Sequence, residues 1–196
     1  EDAFPEAPDG KHKRKKQILF AGRMEKLKGI DILLQAWKQI ETTWDTDAPK
    51  LLICGNGPME EWCRQFVREN NLKSVEMLGY VSNEKVKKIM AESMALILPT
   101  QCYEGFPMTI LEAYSVGTPV LGSDIGNVGS LIEEGITGYR FNGDDMISIM
   151  QAVEYLENNT CSHIIDYSNR HYSEHENYKK LICIYEKINQ DAGKFL

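Results

Sequence analysis

Two loops of this 196-residue chain carry the side chains best suited to chemistry. In one, Glu104 is followed by Gly105-Phe106-Pro107-Met108-Thr109 and then by Glu112, two carboxylates in an E-x7-E spacing. Pro107 suits the start of a helix, so Glu112 falls in its second turn while Glu104 stands in the preceding loop, free to swing toward the same cleft. The amides of Phe106 to Thr109 at that helix start would face an anion. Glu112 sits among Ile110, Leu111, Ala113 and Tyr114, where a carboxylate needs a partner. A ligand hydroxyl is one candidate, and water on an outer helix face is the other. The second loop reads Gly22-Arg23-Met24-Glu25-Lys26-Leu27-Lys28-Gly29. Arg23 and Lys28 flank a turn that leads into a helix. Two cations at a helix mouth form either a diphosphate clamp or a pair of solvated surface charges.

Other chemistries are disfavoured. Gly55-Asn56-Gly57-Pro58 follows an apolar run but continues Met59-Glu60, so no third glycine completes a dinucleotide fingerprint. By itself this segment reads as a turn and helix start. No GxxxxGK[ST] loop is present. The five cysteines (Cys54, Cys63, Cys102, Cys161 and Cys183) form no CxxC and read as small buried hydrophobes or bystanders. His171 and His175 lack a third ligand and read as a solvated face.

The elements that must position these loops come as strand–helix repeats. Apolar runs at Gln17–Ala21, Leu51–Cys54, Val75–Leu78, Ala95–Leu98, Thr118–Leu121 and Tyr139–Phe141 read as strands. Helices are predicted through Ile30–Ile40, from Pro58, from a Ser82 cap, from Pro107, briefly within 126–134, from Asp144 or Asp145, and over Tyr178–Asn189. Strand–helix alternation means a mostly parallel sheet with helices on both faces, a Rossmann-like three-layer α/β/α fold. Ligands then bind beyond the carboxyl ends of the strands. Residues 1–16 are expected to be a lead-in whose basic run, Lys11 to Lys16, is solvated; 17–190 form the domain and 191–196 a tail.

Composition fits this picture. The chain is 42% hydrophobic and 26% charged, enough to build one sizeable core. Its net charge is −7, from 22 Lys and Arg against 29 Asp and Glu, which argues against nucleic acid as a partner. No apolar run approaches the roughly 18 residues of a membrane span.

Taken together, the segments Gly22-Arg23…Glu25…Lys28-Gly29, Gly55-Asn56-Gly57-Pro58, Leu78-Gly79-Tyr80-Val81, Pro99…Glu104-Gly105-Phe106-Pro107…Glu112-Ala113, Gly117-Thr118-Pro119-Val120 and Gly135…Gly138 resemble, in order, the C-terminal domain of a family 4 glycosyltransferase of the GT-B fold. The resemblance covers most of residues 17–190. It implies one half of a GT-B fold, binding a nucleoside-diphosphate sugar for retaining transfer of a hexosyl group. Arg23 and Lys28 match the pyrophosphate pair, Glu112 the acceptor of ribose hydroxyls, and Glu104 the carboxylate beside the donor sugar. Gly22, Gly55, Gly57, Gly105 and the segment from Phe106 through Pro107 and Met108 to Thr109 match donor-binding backbone; Tyr80 and Val81 match positions near the nucleobase. Where such families show Gly-Gly-x-x-Glu, this chain has Gly126-Asn127-Val128-Gly129-Ser130, which puts the sugar contacts there in doubt. No DxD stands where a GT-A enzyme would need one, so no cofactor and no metal are expected. The acceptor, a glycan or lipid-linked sugar in cell-surface polysaccharide synthesis, would be held by an N-terminal domain that these residues do not supply, and the last helix would cross back toward it. A cytoplasmic setting at the inner membrane face follows from the same analogy. A nucleotide-sugar epimerase and a non-catalytic nucleotide-binding module are the alternatives.

Overall fold

The computed structural model describes residues 14–159 and 161–192. Its centre is a six-stranded sheet of β1 (Lys15–Ala21), β2 (Lys50–Cys54), β3 (Val75–Gly79), β4 (Ser93–Leu98), β5 (Val120–Ser123) and β6 (Gly138–Phe141), in the order β3-β2-β1-β4-β5-β6. Every neighbouring pair is parallel. The helices are α1 (Ile30–Trp44), α2 (Glu60–Glu69), α3 (Asn83–Glu92), α4 (Met108–Ser115), α5 (Gly126–Ser130), α6 (Met146–Asn158), α7 (Ile164–Tyr172) and α8 (Glu174–Ala192).

Side chains alternate across the strands and so build two cores. Ile18 and Phe20 of β1 join Leu51, Ile53 and Ile97 on one face, under Leu33 and Trp37 of α1 and Ile149 and Val153 of α6. Leu19 and Ala21 join Leu52, Leu96 and Leu98 on the other, under Met90 of α3, Ile110 and Tyr114 of α4, and Ile164 of α7. Helices on both faces explain why the strands read as unbroken apolar runs. The expected three-layer α/β/α architecture is therefore what the chain adopts.

Strand order fixes where a ligand belongs. From β1 the chain winds outward through β2 and β3, then returns to β4 on the other side of β1 and winds outward through β5 and β6. The reversal leaves a crevice between the loops after β1 and β4. Those are the two loops singled out in the sequence.

Several boundaries move. β1 starts at Lys15, not Gln17, because the basic run before it is not all solvated. The half-buried Arg14 donates from Nη1 to the carbonyls of Ala91 (2.7 Å) and Ser93 (3.0 Å) and to Thr118 Oγ1 (2.8 Å). Its Nη2 donates to the carbonyls of Val116 (3.2 Å) and Gly117 (2.8 Å). One guanidinium thus caps the C-terminal ends of α3 and α4, whose last carbonyls have no intrahelical donor. Lys15 and Lys16 pair with Glu92 (2.5 Å) and Glu157 (3.1 Å). The rest of the expected lead-in, through residue 13, lies outside the described residues, as do tail residues 193–196. β5 runs two residues later than expected, with Thr118 engaged by Arg14 before it. α2 and α4 begin at Glu60 and Met108, after their prolines. α8 extends from Glu174 to Ala192, taking in two residues of the expected tail. α7 was not expected at all. The expected cap at Ser82 holds, and of the two candidates Asp144 and Asp145 it is Asp145 that caps α6, each capping side chain accepting a first-turn amide.

Candidate functional site

The loop after β1 is built against the loop after β2. Gly22 N–H donates to the Cys54 carbonyl (3.0 Å), Met24 N–H to that of Asn56 (2.8 Å), and Met59 N–H to that of Met24 (3.0 Å). Gly55 has φ +130°, and a Cβ there would overlap the Gly22 carbonyl; a Cβ at Gly57 would overlap that of Met24. Both glycines, expected as substrate-binding backbone, are thus required by loop-against-loop contact.

The same loop is pressed against the one after β4. Residues Lys26–Lys28 form one 3-10 turn, and Gly29 (φ 69°) switches the chain into α1. A Cβ at Gly29 would overlap the Pro99 carbonyl, and Gln101 N–H donates to the Leu27 carbonyl (2.8 Å). This closeness brings Lys28 Nζ to 2.6 Å from Glu104 Oε2, with side-chain exposures of 28% and 18%. The other carboxylate oxygen, Oε1, accepts from Thr100 Oγ1 (2.7 Å). Gln101 Nε2 donates to the Pro99 carbonyl (3.0 Å) and to that of Gly143. Lys28 and Glu104, separated by 76 residues, form the fixed ion pair at the crevice.

The other expected residues surround this pair unevenly. Arg23 is largely exposed (67%), and its ion pair, at 3.5 Å, is with Glu25. It stands on the same loop as Lys28 but is not locked beside it. Glu112 is half-buried in the second turn of α4, and its carboxylate has no hydrogen bond or ion pair among the described residues. Met108 and Thr109 open α4, so their amides have no carbonyl four residues back within the helix. Phe106 and Met108 are exposed and Pro107 is buried. Tyr80, after β3, is 77% exposed, while Val81 packs on the core beneath α3 and α4.

Three participants escaped the sequence reading: Thr100 and Gln101, which hold the loop after β4, and Asn127. Asn127 Nδ2 donates to the carbonyls of Glu104 (3.1 Å) and Gly105. Its position, where the resembling families carry glycine, was the available signal. Asp45-Thr46-Asp47, a D-x-D, forms a 3-10 turn at the far end of α1, away from the crevice. A hollow of about 410 Å³ lined by Tyr139, Arg140, Gln151 and Tyr155 lies along β6 at the sheet edge, also away from it.

A family model for glycosyl transferases group 1 matches residues 4–182. The chain belongs to this family. Among curated relatives, an uncharacterized glycosyltransferase of Methanocaldococcus jannaschii is 30% identical over 155 residues, covering 74% of this chain and 39% of the relative. A Mycobacterium tuberculosis glycogen synthase is 28% identical over 138 residues, covering 70% and 33%. The chain spans between about a third and a half of the length of such relatives. Among solved structures, the lipopolysaccharide outer core galactosyltransferase WaaB superposes with a TM-score of 0.77 at 24% identity, over 93% of this chain and 52% of that one. Anabaena HepE in complex with UDP-glucose gives 0.69 at 16% identity, over 92% and 49%. These likenesses show the fold. No helix among the described residues is long and apolar enough to cross a membrane.

Proposed function

We propose that these residues are the donor-binding, C-terminal half of a retaining family 4 glycosyltransferase that moves a hexosyl group from a nucleoside-diphosphate sugar to a glycan or lipid-linked acceptor in cell-surface polysaccharide synthesis. The observation that carries this is the meeting of Lys28 and Glu104 at 2.6 Å in the switch-point crevice, with Glu112, which has no hydrogen bond or ion pair among the described residues, on the adjoining helix. An ammonium has three donors, so Lys28 can keep Glu104 and still take a phosphate oxygen. Arg23, on its exposed loop, closes on the diphosphate from the solvent side. Glu112 accepts the ribose hydroxyls, and the first amides of α4 face the phosphates. As the glycosidic bond breaks, the departing diphosphate gains negative charge, which Lys28, Arg23 and these amides stabilise. Glu104 lies against the donor sugar.

The acceptor site and the remaining catalytic groups belong to a preceding domain, a reading supported by the share of its relatives that the chain spans. α8 suits contact with that domain, since Tyr178, Leu181, Ile182 and Tyr185 recur at helical spacing and are exposed. The reading includes a cytoplasmic setting at the inner membrane face, and cations and helix amides in place of a metal. Titration calorimetry with UDP, GDP, ADP and their glucose conjugates, in EDTA, tests it. Binding of one conjugate is expected, weakened roughly tenfold to a hundredfold in Lys28→Ala and in Glu112→Ala, the loss of one charge-assisted contact. Unchanged affinity in both variants, or strict dependence on Mg²⁺ or Mn²⁺, would overturn it.

A further inference from the structure

We infer that Asn127 is a positioning residue for Glu104, latching the loop after β4 to the start of α5 so that the carboxylate meets the donor sugar in one fixed place. The inference rests on the proposed role of Glu104 at the sugar.

Gly105 sits at the exposed tip of the loop. A Cβ built on it meets nothing within 4 Å, so the tip lacks packing of its own. On the side of this loop away from β1, Asn127 in the first turn of α5 aims its amide at the tip, donating to the Glu104 carbonyl (3.1 Å) and to that of Gly105. An amide nitrogen has two N–H donors, and here two carbonyls meet them. That match also fixes which end of the amide points inward, because the oxygen in that position would face two other oxygens. Next to it Gly126, at φ +51°, leaves room for the Tyr103 ring; a Cβ there would stand 2.7 Å from Tyr103 Cδ1. Tyr103 and Gly105 bracket Glu104 in sequence; the Gly105 carbonyl is bonded to Asn127, and the largely exposed Tyr103 ring lies over Gly126. The carboxylate itself is tied to Lys28 and Thr100. Glu104 is therefore held from both sides of its own loop, by the loop after β1 and by α5, which follows β5. A glycine at position 127 would leave the α5 side open.

The latch acts on the sugar end of the donor and leaves the nucleotide end alone. Losing it is expected to weaken the sugar conjugate about threefold to tenfold, the effect of one or two neutral hydrogen bonds, while free nucleoside diphosphate stays within about twofold. The test uses the full 196-residue chain with Asn127→Ala and Asn127→Asp. The aspartate keeps the shape but turns an acceptor toward both carbonyls, so it is expected to be the worse of the two. Two readouts are needed. Hydrogen exchange of the Gly105 and Phe106 amides, without nucleotide, is expected to quicken in both variants; unchanged exchange overturns the latch. Calorimetry with UDP and UDP-glucose, and the GDP and ADP pairs, is expected to show the sugar-selective loss. Equal losses for free and conjugated nucleotide, or none, overturn the positioning role. Should the unmodified chain bind no nucleotide at all, the functional reading fails, and the exchange readout still decides whether the latch exists.

Discussion

Arg14→Ala removes one side chain that ties together the two helices on the crevice's α4 side. The guanidinium holds four carbonyls and one hydroxyl, at the ends of α3 and α4, with distances from 2.7 to 3.2 Å. A hydrogen bond from a charged donor is worth about 1.5–3 kcal/mol, but these share one group whose own burial costs energy, so they do not add. Burial also lowers the guanidinium pKa. Leaving several of these neutral acceptors without a donor should cost about 3–5 kcal/mol in all, at about 1–3 kcal/mol for each one that water does not reach. That is a large part of the stability of a domain this size, about 5–15 kcal/mol. At about 2–4 °C per kcal/mol, the melting temperature should fall roughly 6–20 °C. Urea unfolding followed by circular dichroism is the assay, with a lower midpoint at unchanged slope. Arg14→Lys, with fewer donors, should recover part of the loss. A change below about 1 kcal/mol would refute the reasoning and return Arg14 to the solvated basic run.

Other outcomes follow from the same structure. Gly29→Ala should destabilise the fold and weaken nucleotide binding together, since a Cβ there would overlap the Pro99 carbonyl and prise the two crevice loops apart; parallel unfolding and calorimetry would check this. Thr100→Val should leave the melting temperature within a few degrees but loosen Glu104, visible as a roughly threefold to tenfold weaker sugar conjugate. Stability should fall as pH rises from 9.0 toward 11, because burial raises the Cys54 and Cys63 thiols from 9.0 to about 11, and the folded chain holds protons there that the unfolded chain releases. Buried Tyr114 acts in the same direction. Urea midpoints at pH 8 and 10 would show it. In the native protein, alkylation should reach the exposed Cys183 and spare the buried Cys54 and Cys63.

How far the sequence could be read depends on where each feature's cause lies. Strands buried on both faces announce themselves as apolar runs, and α1 as a spacing of Ile30, Leu33, Leu34, Trp37 and Ile40, so the layers were legible. Ser82 was legible as a cap, and the start of α6 to within Asp144 or Asp145, because capping is local. α7 was not, because it fully buries only Ile164 and Ser168, and its remaining apolar and aromatic residues, Ile165, Tyr167 and Tyr172, are only half-buried among polar ones. Arg14 was misread because its acceptors lie 77 to 104 residues away, and nothing local distinguishes it from its solvated neighbours. Lys28 and Glu104 were each legible, but their contact depends on β1 and β4 lying side by side. The E-x7-E loop told of Glu104 and Glu112, and not that Asn127 would reach across to the first.

The most direct test is a crystal of this chain grown with the nucleoside diphosphate it binds. The account expects the diphosphate between Lys28, Arg23 and the first turn of α4, with the ribose hydroxyls on Glu112. Density for the nucleotide elsewhere, such as the hollow along β6 beside Tyr155, with Lys28 and Glu112 untouched, would contradict it.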